Sequence, residues 1–238
     1  MKILAFDSSA VSASVALTDE GKLVGECFLN CGLTHSRTLM PMAKQLLDNS
    51  GYKLEDIDLF AVSAGPGSFT GLRIAVSSVK AMAAVLKKPC AAVSTLEAMA
   101  HNLPPLGNYA ICAVMDARCK QFYNALFTVE NDKITRQCED RAIMVDLLGG
   151  ELEKIQDNIV LVGDGANLAY ELMGDNVSGL TLAPQNLRFQ KASSVAQVAE
   201  MQYNRGETVK AATLMPHYLR LSQAERELIA KNKEAAKK

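Results

Sequence analysis

Ile3-Leu4-Ala5-Phe6-Asp7-Ser8-Ser9 opens the chain as a short apolar run closed by an acid and two serines. Such a run reads as a short strand leaving into a turn. Ala110-Ile111-Cys112-Ala113-Val114-Met115-Asp116 repeats the pattern in the second half of the chain. The fold is read by working outward from these two stretches.

After the first run, Val11 to Leu17 alternates with Ser and Ala, the turn Asp19-Glu20-Gly21 follows, and Leu23 to Leu29 alternates again. This pattern predicts three strands joined by tight turns. From Ser36 to Asn49 the period changes: Leu39, Met42, Ala43, Leu46 and Leu47 recur at helical spacing, and Gly51 is a stop signal. Pro41 is expected in the first turn of that helix, where a missing N–H is tolerated. A strand at Leu59–Ala64, a helix from Thr70 to Leu86 closed by Pro89, and a strand at Ala91–Val93 complete a β-β-β-α-β-α-β half.

Asn102 to Asn108, rich in Pro and Gly, is the expected linker. Beyond it, Phe122–Val129 alternates as a hairpin partner, Ile159–Val162 ends at Gly163-Asp164-Gly165, and Val195–Tyr203 has a helical pattern. Two βββαβα halves around a hinge are the plan of the actin, sugar-kinase and Hsp70 (ASKHA) fold, an α/β class. The expected division is 1–104 for the first half, 105–215 for the second, and 216–238 for a C-terminal helix and charged tail running from Ser222 to Lys238.

Composition narrows the function. The 238 residues are 49% hydrophobic and lack Trp, so the core is built from Ala, Val, Leu, Ile and Met. With 25 basic and 26 acidic residues the net charge is −1, and no basic run precedes the tail. Autonomous nucleic-acid binding would call for a basic face. None of the six Cys forms a C-x-x-C pair, and they are expected to be small buried hydrophobes in a reducing compartment. Lys2 is followed at once by a strand, which does not read as a signal peptide, and no apolar stretch reads as a bilayer span. The expectation is a cytoplasmic protein off the membrane.

Ala64-Gly65-Pro66-Gly67-Ser68-Phe69-Thr70-Gly71-Leu72-Arg73 is the most distinctive stretch of the chain. Together with Ile3–Ser9, Val93-Ser94-Thr95-Leu96, Met115-Asp116-Ala117-Arg118 and Tyr218-Leu219-Arg220, it resembles the TsaB family, once called YeaZ, over almost the whole chain and in the right order. The resemblance implies the actin-like fold. It also implies a degenerate paralogue of TsaD, the enzyme that transfers a threonylcarbamoyl group to the adenosine beside the tRNA anticodon. The implied role is that of a subunit without its own active site, supporting TsaD together with the ATPase TsaE in forming threonylcarbamoyladenosine. The expected states are a homodimer in isolation, tRNA met only through the complex because the chain's charge is balanced, and no cofactor in the isolated chain, with room for ATP or ADP in the complex. The family was once filed among M22-type peptidases. Gln121 departs from the family, which usually carries an acid there, whereas Tyr123 is retained.

Three chemical readings are weighed. The resemblance to TsaD places its metal-binding histidine pair at Thr95 and Met99 here, and neither replaces an imidazole. His35, His101 and His217 are scattered, so no metal site is expected. A peptidase would need an activated nucleophile, and the G-x-S-x-G elbow is missing. The Gly65–Gly71 stretch precedes a helix but has Leu72-Arg73 where a phosphate loop has Lys-Ser/Thr. Its glycines are expected to allow a sharp strand-to-helix turn, with Ser68 or Thr70 as the cap. Asp7, Ser8 and Ser9, with Gly163 and Gly165, are the candidate nucleotide contacts. The alternatives are therefore a nucleotide-dependent actin-like enzyme and a peptidase.

The helix from Thr70 to Leu86 carries charge only at Arg73 and Lys80 and is apolar nearly all round. One such side belongs to a sheet, here Leu72, Val76, Val79, Ala83 and Leu86. The other side predicts a protein partner. Ile74, Ser78, Ala81 and Val85 are assigned to that interface, with Leu39, Met42, Ala43 and Leu46 of the preceding helix beside them.

Overall fold

The computed structural model describes residues 1–220; the expected tail helix from Ser222 lies outside them. Ile3, Leu4, Ala5 and Phe6 are wholly buried because their strand is covered on both faces. Leu4 and Phe6 point into one core, and Ile3 and Ala5 into another. An uninterrupted apolar run is what such a strand requires.

The first half contains β1 (Lys2–Asp7), β2 (Ala13–Asp19), β3 (Lys22–Leu29), α1 (His35–Ser50), β4 (Leu59–Gly65), α2 (Phe69–Leu86), β5 (Cys90–Ser94) and α3 (Thr95–Ala100). Its sheet runs in the order β3-β2-β1-β4-β5, antiparallel through the hairpins and parallel from β1 to β5. The second half contains β6 (Tyr109–Asp116), β7 (Gln121–Glu130), β8 (Lys133–Arg136), β9 (Arg141–Met144), α4 (Val145–Leu152), β10 (Ile159–Val162), α5 (Ala166–Met173), β11 (Leu180–Leu182), α6 (Gln185–Arg188) and α7 (Ala192–Asn204). Its order, β11-β10-β6-β7-β8 with β9 also on β7, places β6 where β1 stands in the first sheet. The two sheets therefore repeat one topology, as the matching runs at Ile3 and Ala110 predict.

The halves are not self-contained, which corrects the 1–104 and 105–215 division. α3 leaves the first sheet, and Leu96, Met99 and Ala100 pack against Ile111, Ala113 and Phe127 of the second. α7 returns the exchange, with Val195, Val198 and Ala199 covering Ile3, Ala5, Leu59 and Ala61. The linker is fastened as well: Asn102 Nδ2 donates to the carbonyls of Leu187 and Phe189, and Ser194 Oγ donates to Asn102 Oδ1. A helical pattern shows which side is apolar, not which sheet will claim it.

Two further expectations change. Leu39, Met42, Ala43 and Leu46 are buried inside the monomer, between 1% and 7% exposed, so they are not free to meet a partner. α1 has a single apolar stripe, and the first sheet and α2 take it. Pro41 lies in the second turn of α1, not the first, on the solvent side. Of the cysteines, only Cys90 and Cys112 are buried, while Cys31 and Cys119 are exposed. α2 proves long and apolar enough to cross a bilayer by length and composition, yet its Leu72, Val76 and Val79 face is committed to the core.

A fragment ending at residue 104 lacks α7 and leaves the Ile3–Ala5–Leu59–Ala61 face bare. It is expected to give no cooperative urea transition by circular dichroism, whereas the full chain gives one. A cooperative transition for the fragment would show that α7 is dispensable to the first sheet.

Candidate functional site

The turn after β1 and the turn before α2 are pressed together backbone to backbone. A Cβ on Gly71 would stand 1.9 Å from the Ser8 carbonyl oxygen, and one on Gly67 would stand 2.4 Å from that of Ser9. Ser68 N donates to Ser9 O at 2.6 Å, and Ser8 Oγ donates to Gly71 O at 2.9 Å. Only glycine fits at such approaches. α2 then starts from Ser68, whose Oγ accepts from Gly71 N at 3.3 Å, so Ser68 rather than Thr70 is the cap.

Asp7 is turned inward at the end of β1, 1% exposed. Its Oδ1 accepts from Ser9 N at 2.9 Å and Ser9 Oγ at 2.8 Å, and its Oδ2 accepts from Ser63 Oγ. Burial pushes its carboxyl above the ordinary carboxylate range, while the bonds from Ser63 and Ser9 pull it back. Both oxygens are thus engaged by the protein itself.

The second half mirrors this arrangement. Gly163, at φ +116°, passes so close to β6 that a Cβ would meet the Val114 oxygen at 2.0 Å, and one on Gly165 would meet Asp116 N at 2.9 Å. Asp164 between them accepts from Gln190 Nε2 at 2.6 Å. Burial, with Asp116 and Asp7 adding like charge, pushes its carboxyl up to about 6. Asp116 itself is exposed and accepts from Arg118 N at 2.7 Å.

Between these walls lies a cleft of about 780 Å³. Ser9, Ser68 and Phe69 border it from the first half, Asp116, Arg118 and Asp164 from the second. Segment 217–220 closes one side. Tyr218 stacks on Phe69 at 4.6 Å between ring centroids, and Arg73 lies 3.9 Å over Phe69 and donates from Nε to Tyr218 OH at 3.0 Å. The cleft therefore gathers Ser9, the Gly67–Thr70 turn, Met115–Arg118 and Tyr218–Arg220 from distant parts of the chain.

Of the candidate nucleotide contacts, Ser9 and the Asp164 turn border the cleft, Asp7 is consumed inside, and Ser8, Gly163 and Gly165 are spent on backbone approach. Thr95 and Met99 are wholly buried, and among the described residues no three His, Cys, Asp or Glu side chains come together as a metal cage. Burial pushes the Cys112 thiol up to about 12 and that of Cys90 to about 11, which keeps both protonated and unreactive. Periodicity alone does not disclose the Phe69–Arg73–Tyr218 cluster; its signal is that both of its segments belong to the family-like motifs.

The family model described as TsaD, tRNA N6-adenosine threonylcarbamoyltransferase, matches residues 30–228. The chain is 31% identical to an Escherichia coli K12 protein named tRNA threonylcarbamoyladenosine biosynthesis protein TsaB, over 97% of this chain and 100% of the relative. YeaZ from Pseudomonas aeruginosa superposes with a TM-score of 0.76 at 27% identity, covering 92% of this chain and 99% of that one. The ROK hexokinase of Thermus thermophilus, at 10% identity and a TM-score of 0.50 over 86% of this chain and 100% of its own, shares the fold alone.

The raised Asp164 carboxyl has a stability consequence. Because its folded value of about 6 exceeds the ordinary 3.8, the group favours the fold below about pH 4 and loses that contribution as pH rises to 6. That gap corresponds to about 3 kcal/mol at neutral pH. Asp164→Asn is expected to raise stability by up to that amount at pH 7 and by little at pH 4, measured by urea unfolding. The variant's amide oxygen can still accept from Gln190 Nε2. Equal effects at both pH values would contradict this account.

Proposed function

The chain belongs to the TsaB family and works in forming threonylcarbamoyladenosine in tRNA, and we propose that it does so as a non-catalytic subunit that pairs with the transferase TsaD. The observation that carries this reading is the outer face of α2. Val85 is 81% exposed there, Ala81 is exposed, and Ile74 and Ser78 are half-buried, on a helix whose opposite face is core. An apolar, small-residue stripe along an 18-residue helix suits close approach by another helix. The interface assignment therefore keeps Ile74, Ser78, Ala81 and Val85 and drops the four α1 residues.

The non-catalytic part of the reading is supported by the cleft. Asp7 has both oxygens occupied, and the glycines that would free a phosphate loop receive protein carbonyls instead. The balanced charge favours meeting tRNA through the complex rather than alone. TsaE completes the machinery in this reading, any ATP or ADP belongs to the assembled complex, and the setting is the cytoplasm, where tRNA is modified. In the absence of TsaD the same α2 face pairs two copies of the chain.

The double variant Ala81→Glu/Val85→Glu tests the face. Placing unpaired carboxylates in a helix-packed interface costs roughly 3–5 kcal/mol, and each 1.4 kcal/mol is about tenfold in affinity. Light scattering should show monomer, TsaD should no longer co-purify, and circular dichroism should show an intact fold. A variant that still dimerises and still retains TsaD would place the interface elsewhere.

A further inference from the structure

After the short 3-10 turn Ala211–Thr213 the chain runs along one side of the cleft, and this segment is fastened at both ends. Lys80 Nζ on α2 donates to the carbonyls of Ala212 and Leu214, at 3.0 and 3.3 Å, and Leu214 is buried in the first core. His217 N donates to Ala64 O at 2.6 Å, and the His217 carbonyl lies where Gly65, at φ +131°, has no Cβ. Tyr218 is held by Phe69 and Arg73 as described. Arg220 then reaches the other half, where its Nη1 donates to the Ala117 carbonyl and, at 3.4 Å, to that of Arg118.

The segment that receives Arg220 needs support. Arg118, Cys119 and Lys120, between β6 and β7, have φ of 61°, 55° and 56°. Three successive non-glycine residues in the left-handed region form an unfavourable backbone, because each Cβ crowds its own carbonyl. Within the turn, Gln121 N donates to Arg118 O at 3.2 Å and Ala117 N to Gln121 O at 3.0 Å. The charged guanidinium binds the two carbonyls at the entrance to this run, and charge-assisted bonds are the stronger kind. Segment 215–219 also stands as a wall between the main cleft and a second cavity of about 590 Å³, since His217 and Leu219 border both.

We infer that Met215–Arg220 is a clasp that holds the β6–β7 lip of the cleft in its left-handed conformation, and that Arg73 on α2 sets the clasp through Tyr218. Arg73 is a positioning residue here: its hydrogen bond goes to Tyr218, and it acts by fixing the ring two residues before Arg220. Arg73 is exposed near the start of the helix proposed to carry the partner. A partner that drew it off Tyr218 would loosen the cleft lip, a consequence that rests on the α2 docking reading.

Amide hydrogen exchange on the isolated chain tests the clasp without TsaD, so its failure and that of the docking reading are separate. The readouts are the amides of Ala117, Arg118 and Gln121, all hydrogen-bonded within the lip. Arg220→Ala should speed their exchange about tenfold, the scale of losing a charge-assisted bond. Arg73→Ala should speed it several-fold from the opposite half, and Tyr218→Phe, which keeps the ring stack but not the hydroxyl, by less. Amides of β1 and β6 should be unchanged in all three. Unchanged lip exchange in Arg220→Ala would overturn the inference, as would a lip loosened by Arg220→Ala but not by Arg73→Ala. Uniform acceleration through β6 would also overturn it, by showing a general loss of stability.

Discussion

The carbonyls of Ser8 and Ser9 occupy the space where residues 71 and 67 would carry side chains, and the rest of the molecule is arranged around that contact. It joins the exit of β1 to the entrance of α2 with no side chain between them. The close approach fixes where α2 begins, which puts Phe69 and Arg73 at the cleft and turns Leu72, Val76 and Val79 onto the sheet. It also sets the side of the turn before α2 that lacks Cβ atoms against the protein's own backbone. In the second half, Gly163 and Gly165 make the same kind of approach to β6, so both strand-end turns facing the cleft are closed on their own backbone.

The two halves are bound by exchange. α3 covers the sheet of the second half and α7 covers that of the first. Around the second cavity they are tied again. Arg136 of β8 donates to Glu97, Asp140 and Ser94, with Ser94 Oγ donating to Asp140 at 2.6 Å. Its guanidinium also lies 4.8 Å over Phe127. A frame held in this way suits a subunit that presents a fixed surface. In the proposed docking reading that surface is the outer side of α2, where Ala81 and Val85 are exposed.

Much of this was legible in the residues. The runs at Ile3 and Ala110 disclose the duplicated sheet because an apolar strand ending in Asp is a local pattern. The inward face of α2 follows from its spacing, and the glycines of the 65–71 stretch from the turn they permit. The α1 residues misled because a stripe at helical spacing reports one apolar side, while its burial against β2 and β3 is a tertiary fact. Cys31 and Cys119 ended up exposed because small size permits burial without requiring it. The Phe69–Tyr218 stack joins residues far apart in the chain, and Arg220 meets a strained turn whose left-handed backbone leaves no mark in its residue types.

The central claim is that the chain contributes binding, not chemistry, to tRNA modification. The direct measurement is threonylcarbamoyladenosine formation on tRNA by TsaD and TsaE, supplied with an activated threonylcarbamoyl donor, with this chain omitted, with it present, and with an Asp116→Asn/Asp164→Asn variant that neutralises the two carboxylates bordering the cleft. The account predicts no modification without the chain and equal yields with the native and variant chains. Full modification without the chain, or its loss with a variant that still co-purifies with TsaD, would contradict it.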